Sequence, residues 1–331
     1  MATCPVIGVD VGASKTVACR DDGELLRNEL GGHGTASLVG YSRQGERQLG
    51  EAAVLSAGAN LKGTAMAVGR LATLPHSDLA RTGAATHWAF AHSARADGAA
   101  QFDFDHDGDT LRVPGVGILG ALLAKVRATS GVGEAEGAPL LSLAVPPIAA
   151  AGASADDLAA ARKFARAALA DAAAIGGWKL AAAPLREVAA AAALARKYPK
   201  AEETSLDVLV LDVGAAASSA YIVRLSRDPD AKALSWAHEL VGVASDAYLG
   251  TADFDCAVFE HFAAQVASKH GVPIVKGSRA GARLLSGCER LRTLCSTLPE
   301  AKVPRVLASA AAPLPSPPTR THTVGRCRWR I

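Results

Sequence analysis

Two short segments carry the residues best placed to do chemistry. One is Val6-Ile7-Gly8-Val9-Asp10-Val11-Gly12 and the other is Leu209-Val210-Leu211-Asp212-Val213-Gly214. Each is an apolar run that ends in Asp-Val-Gly. Glycine at such a turn lets the backbone approach a phosphate closely, and turn N–H groups can cradle its oxygens. An aspartate at a strand end can hold a hydrated magnesium ion beside those phosphates. One Asp-x-Gly triplet is an ordinary turn signal. Two of them on matching strand–turn–strand frames predict a clamp that grips one ligand from two sides. No Gly-Lys-Ser/Thr of the P-loop type is present, so the clamp is of another kind.

Other polar clusters read more plainly. Asp103-Phe104-Asp105-His106-Asp107-Gly108-Asp109 imitates the first half of a calcium loop, but Pro114 stands where the closing Glu is needed. The segment reads as an Asp-Gly hairpin. His76, His87, His92 and His106 lack metal-ligand spacing and read as surface or loop residues. The six cysteines contain no CxxC pair and read as reduced, mostly buried thiols. Cys288 and Cys295 share one helix face, where packing is expected.

The elements that must position these residues follow from the apolar pattern. Residues 6–10 and 206–212 read as buried strands, with returning strands at 16–20 and 218–225. Further strands are expected at 139–145, 179–182 and 236–243. Helices are expected at 50–58, 62–71, 116–129, 154–174, 185–197, 252–267 and 278–294, and Ser154 with Asp157 gives a capping pattern. Loops and strands fill 72–113. The two Asp-Val-Gly frames read as an internal duplication, one copy per lobe. The fold class is α/β, with a mixed sheet flanked by helices in each lobe. Residues 1–198 form the first lobe, 199–302 a partial second lobe, and 303–331 a disordered Pro/Ala/Ser-rich basic tail.

Composition bounds the rest. The chain has 331 residues, half of them apolar, with a net charge of +3 and charges of both signs scattered along it. That gives no footprint for nucleic acid or a membrane surface. Abundant Ala and few aromatics predict a thin core of modest stability. Without a signal-peptide pattern or an apolar run of spanning length, a cytoplasmic or nuclear protein is expected.

The sequence also resembles a known family. Residues 6–17, VIGVDVGASKTV, resemble the first phosphate loop of the seventy-kilodalton heat-shock (DnaK-type) chaperones. The similarity continues through Arg47–Ala53, Asn60–Thr64, Gly69-Arg70-Leu71 and Ala144-Val145-Pro146. It extends over the helix with Arg162 and Ala167, then Arg186-Glu187, the Asp212 loop, Tyr248–Asp255 and Ala282–Ser296. Order and spacing match over roughly residues 5–300. Cys288-Glu289-Arg290-Leu291-Arg292 leans toward the hundred-and-ten-kilodalton branch of exchange factors.

The resemblance implies an actin-like (ribonuclease H-like) ATPase fold that binds ATP or ADP with Mg2+. It implies that Asp10 and Asp212 lie around magnesium, through water, and the phosphates. Gly12, Ala13, Ser14 and Lys15 would form the first loop, and Gly214, Ala215 and Gly250 the second. Glu187 would orient the attacking water, making Asp10, Glu187 and Asp212 the catalytic set. Glu289, Arg292 and Ser296 would contact adenosine. A full-length heat-shock chaperone is the implied protein partner, and no peptide-binding domain of its own is expected.

Departures qualify the enzyme. The family's catalytic lysine falls on Gly69, the first-loop hydroxyl is Ala13, and the second loop reads Gly214-Ala215-Ala216-Ala217. Loss of a cation that neutralises a transferring phosphoryl group predicts weak or absent hydrolysis. Lys15, beside the first loop, is a candidate substitute. Two other readings share these residues: a sugar-type kinase of the same fold, for which Gly8–Thr16 resembles the first loop, and a truncated, non-catalytic binding module.

Overall fold

The computed structural model describes residues 6–42, 45–106, 109–132, 139–197, 204–227, 236–298, 300–302 and 326–328. The chain opens with a hairpin of β1 (Val6–Val11) and β2 (Lys15–Cys19), flanked by β3 (Thr35–Ala36). Alternating burial along β1 puts Ile7, Val9 and Val11 into the core. A small antiparallel sheet follows from β4 (Val39–Tyr41), β5 (Arg47–Leu49) and β6 (Thr64–Ala65), with α1 (Glu51–Ala57) between the last two. Next come α2 (Val68–Thr73), α3 (His76–Leu79) and a 3-10 turn, Gly83–His87. The expected helix at 62–71 is therefore half wrong. Thr64–Ala65 pairs with β4, and Ala67 enters the left-handed region at φ 50° before α2 begins.

The strands β7 (Ala91–Ala94), β8 (Ala100–His106) and β9 (Asp109–Pro114) form an antiparallel meander. The expected hairpin is present, with His106 opposite Asp109, and its tip at 107–108 lies outside the described residues. Then α4 (Gly115–Thr129) leads to β10 (Leu140–Leu143), α5 (Ala155–Ile175), β11 (Lys179–Ala182) and α6 (Arg186–Lys197). Ser154 Oγ accepts from the Asp157 amide and caps α5 as its sequence suggests. The main sheet runs β11-β10-β1-β2-β3, parallel between β1, β10 and β11 and antiparallel elsewhere. Its core joins β1 and β10 to Ile118, Leu119 and Leu122 of α4 and to Leu169 and Ala172 of α5.

A second sheet contains β12 (Ser205–Val213), β13 (Ser218–Ser226) and β14 (Ala237–Asp246), all antiparallel. The helix α6 supplies Ala191 and Ala195 to its core, against Tyr221, Val223 and Leu225. The other face leaves Leu209, Leu211 and Ile222 exposed. A third cluster joins α7 (Thr251–His270) to α8 (Arg279–Cys295) through Phe259, Phe262, Leu284, Cys288 and Leu291. Finally β15 (Glu300–Lys302) pairs with β16 (Arg326–Arg328), so this part of the expected tail is a strand; 303–325 and 329–331 lie outside the described residues.

Two expectations about side chains change. Only Cys288 is fully buried among the described thiols; Cys19, Cys256 and Cys295 are half-buried. Burial pushes the Cys256 thiol up to about 11 and Cys288 up to about 12, so both stay protonated and unreactive. His87 is buried rather than superficial, edge-on to Phe259 at 4.6 Å, and His76 Nε2 lies 2.9 Å from His92 Nδ1. Among the described residues no helix is long and apolar enough to cross a membrane.

Candidate functional site

The two Asp-Val-Gly turns are closed in the same way. The Gly12 amide donates to the Lys15 carbonyl at 2.9 Å, and the Gly214 amide donates to the Ala217 carbonyl at 2.9 Å. A Cβ at Gly12 would meet Lys15 O at 2.7 Å, and one at Gly214 would meet Ala217 O at 2.9 Å. Neither turn tolerates a side chain there without shifting. The registers also match: Asp10 faces Val17 across the first hairpin and Asp212 faces Ser219 across the second.

Different neighbours hold each turn. Ser37 Oγ donates to the Gly12 carbonyl at 2.7 Å and lies 3.0 Å from Thr16 Oγ1, while its amide donates to Ser14 O. The second turn is gripped by the start of α7. The Thr251 amide donates to Gly214 O and the Ala252 amide to Ala215 O, at 2.9 and 2.8 Å. Gly250 is needed for this fit, since a Cβ there would lie 2.5 Å from the Ala216 nitrogen. Asp253 Oδ2 accepts from the Gly250 amide and caps the helix.

Two arginines join these parts. Arg70, on the wholly buried α2, donates from Nη1 to the Ala216 carbonyl at 2.9 Å, which links α2 to the second turn. Its Nη2 is buried without an acceptor. Burial brings the Arg70 guanidinium down to about 10, so it remains a cation at neutral pH. Arg186 opens α6 and donates from Nε and Nη2 to Asp10 Oδ1, at 3.0 and 2.8 Å. Its position follows from the sheet. The Ala144 amide bonds Val9 O, the Arg186 amide bonds Val145 O, and β10 lies beside β1. The next residue, Glu187, is buried. Burial raises the Tyr221 hydroxyl, and Asp212 and Glu187 add to the rise while Arg186 opposes it, so all three act on one point of the second sheet.

The structure thus brings together Asp10, Gly12, Glu187, Asp212, Gly214, Ala215 and Gly250 around the two turns. Ala13 is half-buried, whereas Ser14 and Lys15 are exposed on the first. Glu289 on α8 and Ser296 at its C-terminal cap are exposed. Arg292, expected at adenosine, sends Nε and Nη2 to Asp255 at 2.7 and 3.1 Å. That ion pair ties α8 to α7, and the Arg292 pKa is raised chiefly by the hydrogen bond to Asp255. Sequence reasoning missed Ser37, Arg70 and Arg186 as site residues. Ser37 carries no local signal. Arg70 and Arg186 sit inside quoted motifs, but only their partners across the fold show what they hold.

A family model described as "Hsp70 protein" matches residues 6–312. The chain is 24% identical over 302 residues to "Heat shock protein 88" of Dictyostelium discoideum, covering 90% of this chain and 36% of that protein. It is 25% identical over 298 residues to "Putative heat shock 70 kDa protein 7" of Homo sapiens, covering 89% and 75%. It is 26% identical over 313 residues to "Chaperone protein DnaK" of Stenotrophomonas maltophilia, covering 93% and 46%. The chain thus spans well under two thirds of the first and third of these relatives. With the match running from β1 past α8, through both Asp-Val-Gly turns, the chain belongs to the Hsp70 family.

Proposed function

We propose that this chain is a nucleotide-binding domain of the heat-shock chaperone type, which holds ADP or ATP between the Gly12 and Gly214 turns without appreciable hydrolysis. The observation that carries this is the paired closure of the two turns, in matched register, with Arg70 spanning from one side to the other. On this reading the two hairpins are the duplicated halves of an actin-like fold. Backbone amides of the turns face the phosphates, and Glu289 on α8 and Ser296 at its C-terminal cap face the adenosine.

Weak hydrolysis follows from Gly69. The cation that the family's catalysis uses is missing there, and a Cβ at that position would stand 2.7 Å from Val11 Cγ1, so a longer side chain would force β1 or Val11 to shift. Such a domain serves protein folding by binding nucleotide and pairing with a catalytically competent chaperone, as an exchange partner does. Hsp70-type domains take nucleotide with Mg2+. Here the residues fit the nucleotide better than the metal, since one Asp10 oxygen, Oδ1, is already held by two Arg186 donors.

Hydrogen–deuterium exchange with and without ADP tests the site. Slower exchange confined to 12–17, 214–219 and the start of α7 is expected. Protection elsewhere with none at these turns would remove the site from the cleft. ATP consumption that depends on an added amino sugar would favour the kinase alternative instead.

A further inference from the structure

We propose that Arg186 and Arg70 take over the charge of the divalent cation, so that ADP binds in this cleft without Mg2+. This rests on the nucleotide reading above and goes beyond it. Asp10 is the aspartate expected beside a hydrated magnesium ion. Its Oδ1 instead accepts two hydrogen bonds from one guanidinium, and Arg186 Nη2 also approaches the Val11 carbonyl at 3.4 Å. The Arg186 side chain is 18% exposed, against 48% for Asp10, so the cation is the better-anchored partner. A divalent ion at this oxygen would have to displace a bidentate donor and would sit beside a fixed positive charge.

Arg70 supplies the second charge. It is only 7% exposed, fixed to the second turn at Ala216, and within electrostatic reach of Arg186. Its Nη2 is a buried donor facing no acceptor. Two guanidinium groups at one cleft carry the same total charge as one divalent cation, and act here as fixed charges held by Asp10 and by the Ala216 carbonyl. Among the described residues no group of three or more His, Cys, Asp or Glu could hold a metal ion.

The test is calorimetric ADP binding to the whole chain in Mg2+ and in EDTA, for the unmodified protein and for Arg186→Asn. For the unmodified protein the two affinities are expected to agree within about threefold. In Arg186→Asn, Asp10 loses its counter-ion, and binding is expected to be at least about tenfold weaker in EDTA than in Mg2+. A tenfold or greater Mg2+ requirement in the unmodified protein overturns the proposal, as does an Arg186→Asn variant that is still indifferent to the metal. Should circular dichroism show Arg186→Asn to be unfolded, Arg186→Lys keeps the charge but not the fork. Continued indifference to Mg2+ in that variant supports the proposal, and a new requirement overturns it. Absence of ADP binding in both buffers defeats the nucleotide reading itself, a result distinct from metal-dependent binding.

Discussion

At Gly69 the chain packs so closely on β1 that an added Cβ would force a shift. The position faces the end of β1, with Val11 Cγ1 at 2.7 Å and Val11 O at 3.2 Å from where a Cβ would stand. Restoring the family's lysine by Gly69→Lys is therefore expected to cost about 1–3 kcal/mol of stability by overpacking, with phosphate release still at background. Thermal denaturation and a phosphate-release assay check both, and turnover gained by Gly69→Lys would contradict the expectation. Arg292 offers the opposite case, a residue whose structural use is plain. Asp255 is 8% exposed on its side chain, and Arg292→Ala strands that carboxylate. A loss of about 2–3 kcal/mol is expected by chemical denaturation, below the range for a fully buried pair because Arg292 is 34% exposed. Asp10, Gly12, Asp212 and Gly214 were legible in the sequence because turn chemistry is local. The Asp10–Arg186 pair was not, since only the β1–β10 register and the Val145–Arg186 backbone bond bring the two together.

Among the elements, α2 and the 3-10 turn carry the clearest physical signatures. Ala67 starts α2 with φ 50°, a conformation that costs a residue bearing a Cβ about 1–2 kcal/mol. Ala67→Gly is expected to stabilise the fold by about 1 kcal/mol once the entropy of the extra glycine is counted, measurable as a higher melting temperature. A lower melting temperature would mean that the Ala67 methyl makes a packing contact worth more than the strain. The 3-10 turn packs His87 on Phe259, joining this segment to α7. Burial depresses the His87 pKa below its ordinary value, with Lys276 adding to the depression and Glu260 opposing it. The fold therefore favours the neutral ring. The resulting stability is fully present above the unfolded value of about 6.5 and is lost as pH falls through the lower folded value. His87→Phe is expected to flatten the fall in melting temperature below neutral pH, and an unchanged slope would assign that fall to other groups. Most elements were readable from period and caps, including α5 with its Ser154 cap. The helix expected at 62–71 failed because Thr64–Ala65 is captured by β4, a partner distant in sequence.

For the molecule as a whole, the large core lies around β1, β10, α4 and α5, while β12–β14 and α7–α8 each hold a much smaller cluster. The sequence's thin-core expectation fits the second part of the chain better than the first. Hydrogen exchange in the absence of nucleotide is expected to be slowest in β1, β10 and α4 and markedly faster in β12, an edge strand with one apolar face exposed. Equal protection across both sheets would mean that they unfold as one unit. The two matched turns were visible in the sequence from the repeated Asp-Val-Gly. The join between them was not, because Arg70 and Ala216 lie 146 residues apart in the sequence. The most direct measurement is calorimetric titration of the chain with ATP alongside a sustained turnover assay. One site of submillimolar affinity with no turnover above background is expected. No heat at millimolar ATP, or steady hydrolysis at a rate typical of an active ATPase, would overturn the assignment of a nucleotide-holding, hydrolysis-poor cleft.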